Sequence, residues 1–231
     1  MSNTFAPLDH LDGQVAVITG GTGAIAAATA QRLAHLGARV VLLHRGGLSK
    51  SEALLQSLPG SGHGALIASV TNSAELTKAA EDVVKQYGGA HILINTAGHT
   101  QPVPAADLNA LTDELIDEMF VSNWRGTFAA IRAFAPQLKD SEDGLIVNVS
   151  SIAGTTGLGS NLAYAASKAG IDALTKGLAK TLAPQIRVLA VSPGVVDSGF
   201  VAGRGADFNA KTGATIPLKR VGTADDVAAA I

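Results

Sequence analysis

Short apolar runs rich in β-branched residues recur along the chain: VAVIT (15–19), RVVLL (39–43), ALIA (65–68), HILIN (91–95), LIVNV (145–149) and IRVLAV (186–191). Each is continuously apolar rather than alternating, the pattern of strands buried on both faces of a parallel sheet. Between them, apolar positions recur at helical period over 24–36, 73–87, a long stretch within 107–138, and 164–182. Gly37 and Gly88 stand where helix C-caps belong. Strand–helix alternation throughout predicts an α/β fold, a doubly wound parallel sheet of Rossmann-like type. It has about six strands and helices on both faces. No linker or repeat divides the chain, so 1–231 reads as one dinucleotide-binding and catalytic domain. The stretch 198–217 is rich in glycine and lacks periodicity, which predicts a mobile substrate-lid loop. Near the end, Thr223 is a good N-cap with Asp226 at N3, and the apolar pattern Val227, Ala228, Ile231 has just begun where the sequence stops.

Composition narrows the function classes. Hydrophobic residues make up 47% and charged residues 16%, which places the chain among globular proteins. The absence of cysteine removes disulfide scaffolds and thiolate metal sites. The six histidines show no H-x-x-x-H spacing, so no metal is expected. A net charge of −2 without a basic block argues against a nucleic-acid partner. The N-terminal MSNTFAPLDHLDG has neither the basic nor the apolar region of a signal peptide, and no run is long enough to span a membrane. A cytoplasmic enzyme without membrane contact is the expectation.

The strand at 15–19 runs into Gly20, Gly21, Thr22 and Gly23, and a helix follows at once. Backbone N–H groups at such a helix start suit a pyrophosphate. Gly21, Gly23 and Ala26 fit the G-x-G-x-x-G/A fingerprint, although a glycine turn also serves tight helix–sheet packing alone. Ala24 poses the sharper question. A helical backbone there accommodates its methyl, whereas a turn requiring positive φ would not. Strand two ends in His44 where an acidic ribose clamp would stand, and Arg45 comes next. No carboxylate lies between Asp12 and Glu52. Arg45 is therefore predicted to bind a 2′-phosphate, favouring NADP(H) over NAD(H).

The helix at 164–182 opens YAASKAG, which puts Tyr164 and Lys168 at i,i+4 on one face. An ammonium within reach of a phenol favours its phenolate, making the pair a general acid/base for carbonyl–alcohol interconversion. Ser151 lies at the carboxyl end of a strand, thirteen residues before Tyr164. NTAG (95–98) and SPGVVDS (192–198) also follow strands, and Asn123 sits within a helix, where an asparagine needs a partner for its amide. A P-loop lacks its G-K-[ST], and a serine hydrolase lacks its G-x-S-x-G.

The motifs TGGTGAIA, NTAG, VSNWRGTF, VSSIAG, YAASK and SPGVVDS, in this order and spacing over 14–226, resemble the short-chain dehydrogenase/reductase family. The resemblance is to the branch that includes 3-oxoacyl-acyl-carrier-protein reductases. It implies an NAD(P)(H)-dependent oxidoreductase acting on a small-molecule carbonyl or secondary alcohol. Tyr164 would be the proton donor or acceptor, Ser151 would orient the carbonyl, and Asn123 would hold a relay water. Lys168 would lower the tyrosine pKa and bond the nicotinamide ribose. The cofactor set would comprise Gly20, Thr22, Gly23, Ala24, Ile25, Arg45, Ser69, Val70, Asn95, Ala97, Gly98, Tyr164, Lys168, Pro193, Gly194, Val196 and Ser198. His99, Val103 and Phe200 would line a mixed, moderately apolar substrate site. The chain departs from the pattern at Ala24 and Ala26, which replace glycines, at Thr96, and at Ser69, where an aspartate often meets the adenine. The altered turn keeps a second reading open, a nucleotide-binding or scaffold protein without turnover. The resemblance also implies a homodimer or homotetramer built on helices around 107–135 and 160–182. Against the family pattern, a further helix body and a final strand would be missing, leaving 186–191 as an exposed sheet edge.

Overall fold

The computed structural model describes residues 10–46, 49–203 and 207–231. The N-terminal stretch 1–9, read above for a leader, and residues 204–206 of the predicted lid lie outside the described residues.

The six apolar runs form β1 (Val15–Thr19), β2 (Arg39–His44), β3 (Gly64–Ile67), β4 (Ile92–Asn95), β5 (Gly144–Val149) and β6 (Ile186–Val191). All pairings are parallel and the strand order is β3-β2-β1-β4-β5-β6. The order reverses between β1 and β4, the crevice where doubly wound sheets bind ligands. Among the described residues β6 pairs only with β5, so Ile186–Val191 is a sheet edge.

The helices are α1 (Ala24–His35), α2 (Ser49–Ser57), α3 (Ser73–Tyr87), α4 (Asp113–Met119), α5 (Gly126–Asp140), α6 (Ala153–Thr156), α7 (Leu162–Thr181), α8 (Phe208–Thr215) and α9 (Ala224–Ala228). A π-helical turn, Phe120–Arg125, joins α4 to α5. Helices cover both faces. Leu76, Ala80 and Val83 of α3 and Phe134 and Leu138 of α5 pack with Val17, Val41 and Leu93 on one side. Ala26, Ala30 and Leu33 of α1 pack with Ala16, Ile18 and Leu42 on the other. Burial on both faces explains the unbroken runs of β1, β2, β4 and β5, whereas the edge strands β3 and β6 differ from the expectation, with Ile67, Arg187 and Leu189 exposed.

Helix ends follow local chemistry. Asn72 caps α3 by accepting from Ala74 N and Glu75 N, and Gly88 ends it in the left-handed region. Gly37, at φ +96°, follows α1 in the same way. Thr223 and Asp226 form a reciprocal capping box at α9.

Three expectations change. Residues 49–57 form a helix that the pattern does not announce, because only Leu54 and Leu55 of SKSEALLQS are large apolar residues. The predicted lid is not wholly irregular, since α8 occupies its second half. The long helix within 107–138 is interrupted by the π turn, in which Asn123 is the buried residue.

Candidate active site

The first strand delivers the chain into a tight turn. Gly20 has φ +67°, and a Cβ there would lie 2.9 Å from Ala97 Cα, so the turn and the NTAG segment meet backbone to backbone. Gly21 N donates to Leu43 O at 2.9 Å, which moors the turn to β2. Gly23 is the N-cap of α1, with extended angles and no side chain to offer. Ala24 is the first residue of α1, outside the positive-φ region, so its methyl is accommodated as a helical methyl. Ala26 is fully buried against Ala16 and Ile18, where a small side chain lets α1 approach the sheet. The first helical bond runs from Ala27 N to Gly23 O at 2.9 Å. The N–H groups of Ala24, Ile25 and Ala26 therefore precede any intrahelical acceptor, and the first turn holds no acidic residue. This uncapped, positively polarised cradle fits the pyrophosphate of a dinucleotide.

The second half of the site is built on β5 and α7. Asn161, 3% exposed, caps α7 by accepting from Tyr164 N at 2.6 Å, and its amide donates to Gln101 O at 2.7 Å. One side chain thus fixes both the helix start that carries Tyr164 and the segment after NTAG. Lys168 lies one turn further on, 5% exposed, and its Nζ donates to Val149 O at 2.8 Å. The same Nζ stands 5.8 Å from the centre of the Tyr164 ring. Burial pushes the Lys168 ammonium down to about 8, against the attraction of Asp172. The ammonium is thus only modestly favoured near neutrality, and it is poised beside the phenol. Ser151 Oγ accepts from Ala153 N at 3.2 Å at the carboxyl end of β5. The Phe200 ring tilts against Tyr164 with centroids 6.1 Å apart.

Asn123 is fully buried in the π turn. His99 N donates to Asn123 Oδ1 at 2.7 Å, and Asn123 Nδ2 donates to His99 O at 3.0 Å and to Ser167 Oγ at 3.1 Å. The amide is thus committed to the backbone after Gly98 and to α7. The widened turn is what lets an asparagine inside a helix reach out sideways. His99 itself turns toward Glu118, with Nε2 3.2 Å from Oε1, and does not line the cleft.

These parts surround one open cleft of about 1440 Å³. Of the residues predicted from sequence, Thr22, Gly23, Ala24, Ile25, Gly98, Ser151, Tyr164, Lys168, Pro193, Gly194, Val196 and Ser198 line it. Val103 and Phe200 line it as well, and Pro102, Pro104 and Leu158 make that wall more apolar than expected. Gly20, Arg45, Ser69, Val70, Asn95, Ala97 and Asn123 do not line it. Gly20 and Ala97 shape the turn from behind. Asn95 is a strut: Thr19 Oγ1 donates to its Oδ1 at 3.5 Å, its Nδ2 donates to Asn148 Oδ1 at 2.9 Å, and Asn148 Nδ2 donates to Thr175 Oγ1 at 3.0 Å. Ser69 N donates to Glu75 Oε2 at 2.8 Å, and Val70 packs where a Cβ on Gly126 would fall. Arg45 lies in an exposed bend after β2. Lys50, on α2, is a lining residue that the sequence reading missed. No grouping of three His, Cys, Asp or Glu that could hold a metal occurs among the described residues, and none of their helices is long and apolar enough to cross a membrane.

A parallel doubly wound sheet, an uncapped glycine turn at its switch point and a Tyr–Lys pair across the cleft define a dinucleotide-dependent oxidoreductase class. The chain belongs to the short chain dehydrogenase family, whose profile matches residues 14–208. It is 37% identical to the protein designated ketoacyl reductase 2 of the granaticin polyketide synthase of Streptomyces violaceoruber, over 96% of this chain and 90% of that one. It is 32% identical to the 3-oxoacyl-[acyl-carrier-protein] reductase FabG of Staphylococcus epidermidis, over 92% and 87% of the two chains. A dehydrogenase/reductase from Sinorhizobium meliloti has a similar structure, with a TM-score of 0.85, 31% identity, and 96% and 87% of the two chains covered.

Proposed function

We propose that this chain interconverts a ketone and a secondary alcohol, with NADP(H) favoured over NAD(H) and 3-oxoacyl compounds as the substrate class. The observation that carries this reading is that Ser151, Tyr164 and the buried Lys168 open onto the same cleft as the uncapped start of α1. The nicotinamide cofactor supplies the hydride when bound. The protein supplies the proton. Tyr164 holds it on the phenol oxygen, and the Lys168 ammonium beside the ring stabilises the phenolate left when the proton is given to the carbonyl oxygen. The Ser151 hydroxyl donates to that same oxygen and orients the carbonyl. Asn123 acts on the pair from behind, by locking the backbone after Gly98 to α7. Relatives named as ketoacyl reductases support the substrate class. The resemblance supports self-association through the helices around 107–135 and 160–182.

Tyr164→Phe tests the mechanism. Loss of the proton donor lowers the rate of NADPH-dependent ketone reduction by about 10²- to 10⁴-fold. Cofactor affinity, measured by calorimetry, stays near that of the parent. A Phe variant that reduces any accepted ketone at the parent rate overturns the assignment. A parent protein that binds NADPH but turns over no ketone would instead favour the scaffold reading.

A further inference from the structure

We propose that the Ser160 hydroxyl donates a hydrogen bond to the second carbonyl oxygen of a 3-oxoacyl substrate, the one that is not reduced. The inference rests on the ketone-reduction reading above and names what tells a 3-oxoacyl compound from a simple ketone in this cleft.

Ser160 and Thr100 meet in a close hydroxyl–hydroxyl hydrogen bond. Each hydroxyl carries one proton, and the bond between them uses one of the two. Among the described residues neither hydroxyl has another hydrogen-bond partner. Thr100 is 5% exposed, so a proton that it did not give to Ser160 would be buried without an acceptor. Thr100 therefore donates and Ser160 accepts. The remaining proton, on Ser160 Oγ, belongs to a half-buried residue that lines the cleft. Its acceptor comes from the cleft side.

The backbone around this donor is fixed. Val103 N donates to Ser160 O at 2.8 Å, and Asn161 Nδ2 donates to Gln101 O at 2.7 Å. With the hydroxyl pair, these bonds strap residues 100–103 to 160–161. The strap lies against the reacting centre, because a Cβ built on Gly159 would stand 3.3 Å from Tyr164 Cδ1. Of the cleft-lining residues within 102–105 and 158–160, only Ser160 has a polar side chain; Pro102, Val103, Pro104 and Leu158 present carbon. A lone oriented donor on an apolar wall fixes one oxygen of a ligand. Ser151 and Tyr164 are assigned above to the reacting carbonyl, so Ser160 meets a different oxygen of the same substrate. The ester or thioester carbonyl of a 3-oxoacyl compound supplies it. A simple ketone leaves the donor unpaired, and an unpaired donor is what lets such a site discriminate.

The test is NADPH-dependent reduction of ethyl 3-oxobutanoate and of an alkyl methyl ketone of matched length, which lacks the second carbonyl. Ser160→Ala strands the buried Thr100 hydroxyl, so the paired variant Thr100→Val/Ser160→Ala, which removes both hydroxyls, is measured beside it. Loss of one neutral hydrogen bond lowers kcat/KM for the 3-oxo ester by about 3- to 10-fold in both variants. For the methyl ketone kcat/KM changes by less than about twofold in the paired variant, because no substrate contact is lost. An unchanged kcat/KM for the 3-oxo ester in the paired variant overturns the proposal. So does an equal fall for both substrates, which would give Ser160 a role in the strap alone; in either case the ketone-reduction reading stands. A parent protein that reduces the methyl ketone but not the 3-oxo ester sinks the substrate class and the proposal together. One that binds NADPH and reduces neither sinks the functional reading and the proposal with it.

Discussion

At the scale of single residues, Ala24 and Lys168 carry the sharpest consequences. Ala24 is the first residue of a helix rather than a strained turn residue, so its methyl does not require a displaced loop. Ala24→Gly should lower stability by roughly 0.5–1 kcal/mol, the helix propensity difference. NADPH affinity should change by less than about tenfold, the equivalent of 1.4 kcal/mol. A larger gain in affinity by calorimetry would show that the methyl crowds the phosphates. Lys168 presents the opposite case, a residue kept at a cost. Its ammonium is lowered from 10.5 to about 8 by burial. The unfolded chain therefore holds a proton that the folded one gives up between those values. Below pH 8 both states are protonated and the folded state bears the full penalty, about 3 kcal/mol at 1.36 kcal/mol per pKa unit. As pH rises from 8 to 10.5 the penalty is relieved. Lys168→Met removes it and strands the Val149 carbonyl, at about 1–3 kcal/mol. The variant should thus be inactive yet at least as stable as the parent at pH 7, with that advantage shrinking toward pH 10. Urea unfolding at the two pH values measures this, and a variant less stable at pH 7 than at pH 10 relative to the parent would contradict it. The same pKa predicts that ketone reduction falls as pH rises through about 8 and the ammonium is lost.

Among the elements, legibility followed whether the information was local. The four central strands could be read because burial on both faces makes them apolar nearly throughout, as in VAVIT, whereas β6, half exposed at the sheet edge, was legible from its β-branched apolar content alone. The α3 caps, Asn72 and Gly88, are equally local. The helix α2 was hidden because a short helix with two apolar neighbours has no stripe, and Lys50 was hidden with it. The π turn could not be read from local sequence, and the partner of its buried Asn123 is His99, 24 positions away in the chain. Asn95 has a glycine-motif sequence context but a sheet-spanning role, which only the placement of Asn148 and Thr175 discloses. Asn161 was missed although its signal was present, an N-cap residue three positions before Tyr164. Asn161→Ala removes the cap and leaves the Gln101 carbonyl without its donor, a loss of about 1–3 kcal/mol. For a domain of this size each kcal/mol lowers Tm by roughly 2–4 °C. Asn161→Ser keeps a hydroxyl that can accept from Tyr164 N and should lose less. Equal melting temperatures for the alanine variant and the parent would remove Asn161 from the frame of the site.

Over the whole molecule, the segment 198–217, proposed as the lid, is clasped at its base. Val196 bridges Gly222, Asp197 N donates to Gly222 O at 2.8 Å, and Gly222 N donates to Val195 O at 2.9 Å, so the segment between them leaves and rejoins the body at one point. Beyond it, α9 is fixed by ion pairs at its N-terminus. Arg220 Nη2 donates to Asp226 Oδ1 at 2.9 Å, and Arg32 of α1 makes a two-pronged contact with Asp225 at 2.7 Å. The helix α1 and the chain beyond 198–217 are thereby joined through one surface clasp. The bond from Arg32 holds the Asp225 carboxyl below its usual range, and that from Arg220, with the Thr223 N–H, holds Asp226 well below it. Carboxylates with depressed values stabilise the folded state above their unfolded pKa and lose that contribution as pH falls through the folded one. The clasp is exposed, so its share of global stability is small and salt-sensitive. Its loss should be local. Hydrogen exchange at pH 3, corrected for intrinsic rates, should show faster opening of residues 220–229 than at pH 6, while amides of β1, β4 and β5 stay protected. Asp225→Asn should reproduce the local opening at pH 6, because it removes the charge that Arg32 meets. Uniform loss of protection across sheet and clasp at pH 3, or no change at 220–229 in the variant, would show that α9 is held by its packing on α1 alone.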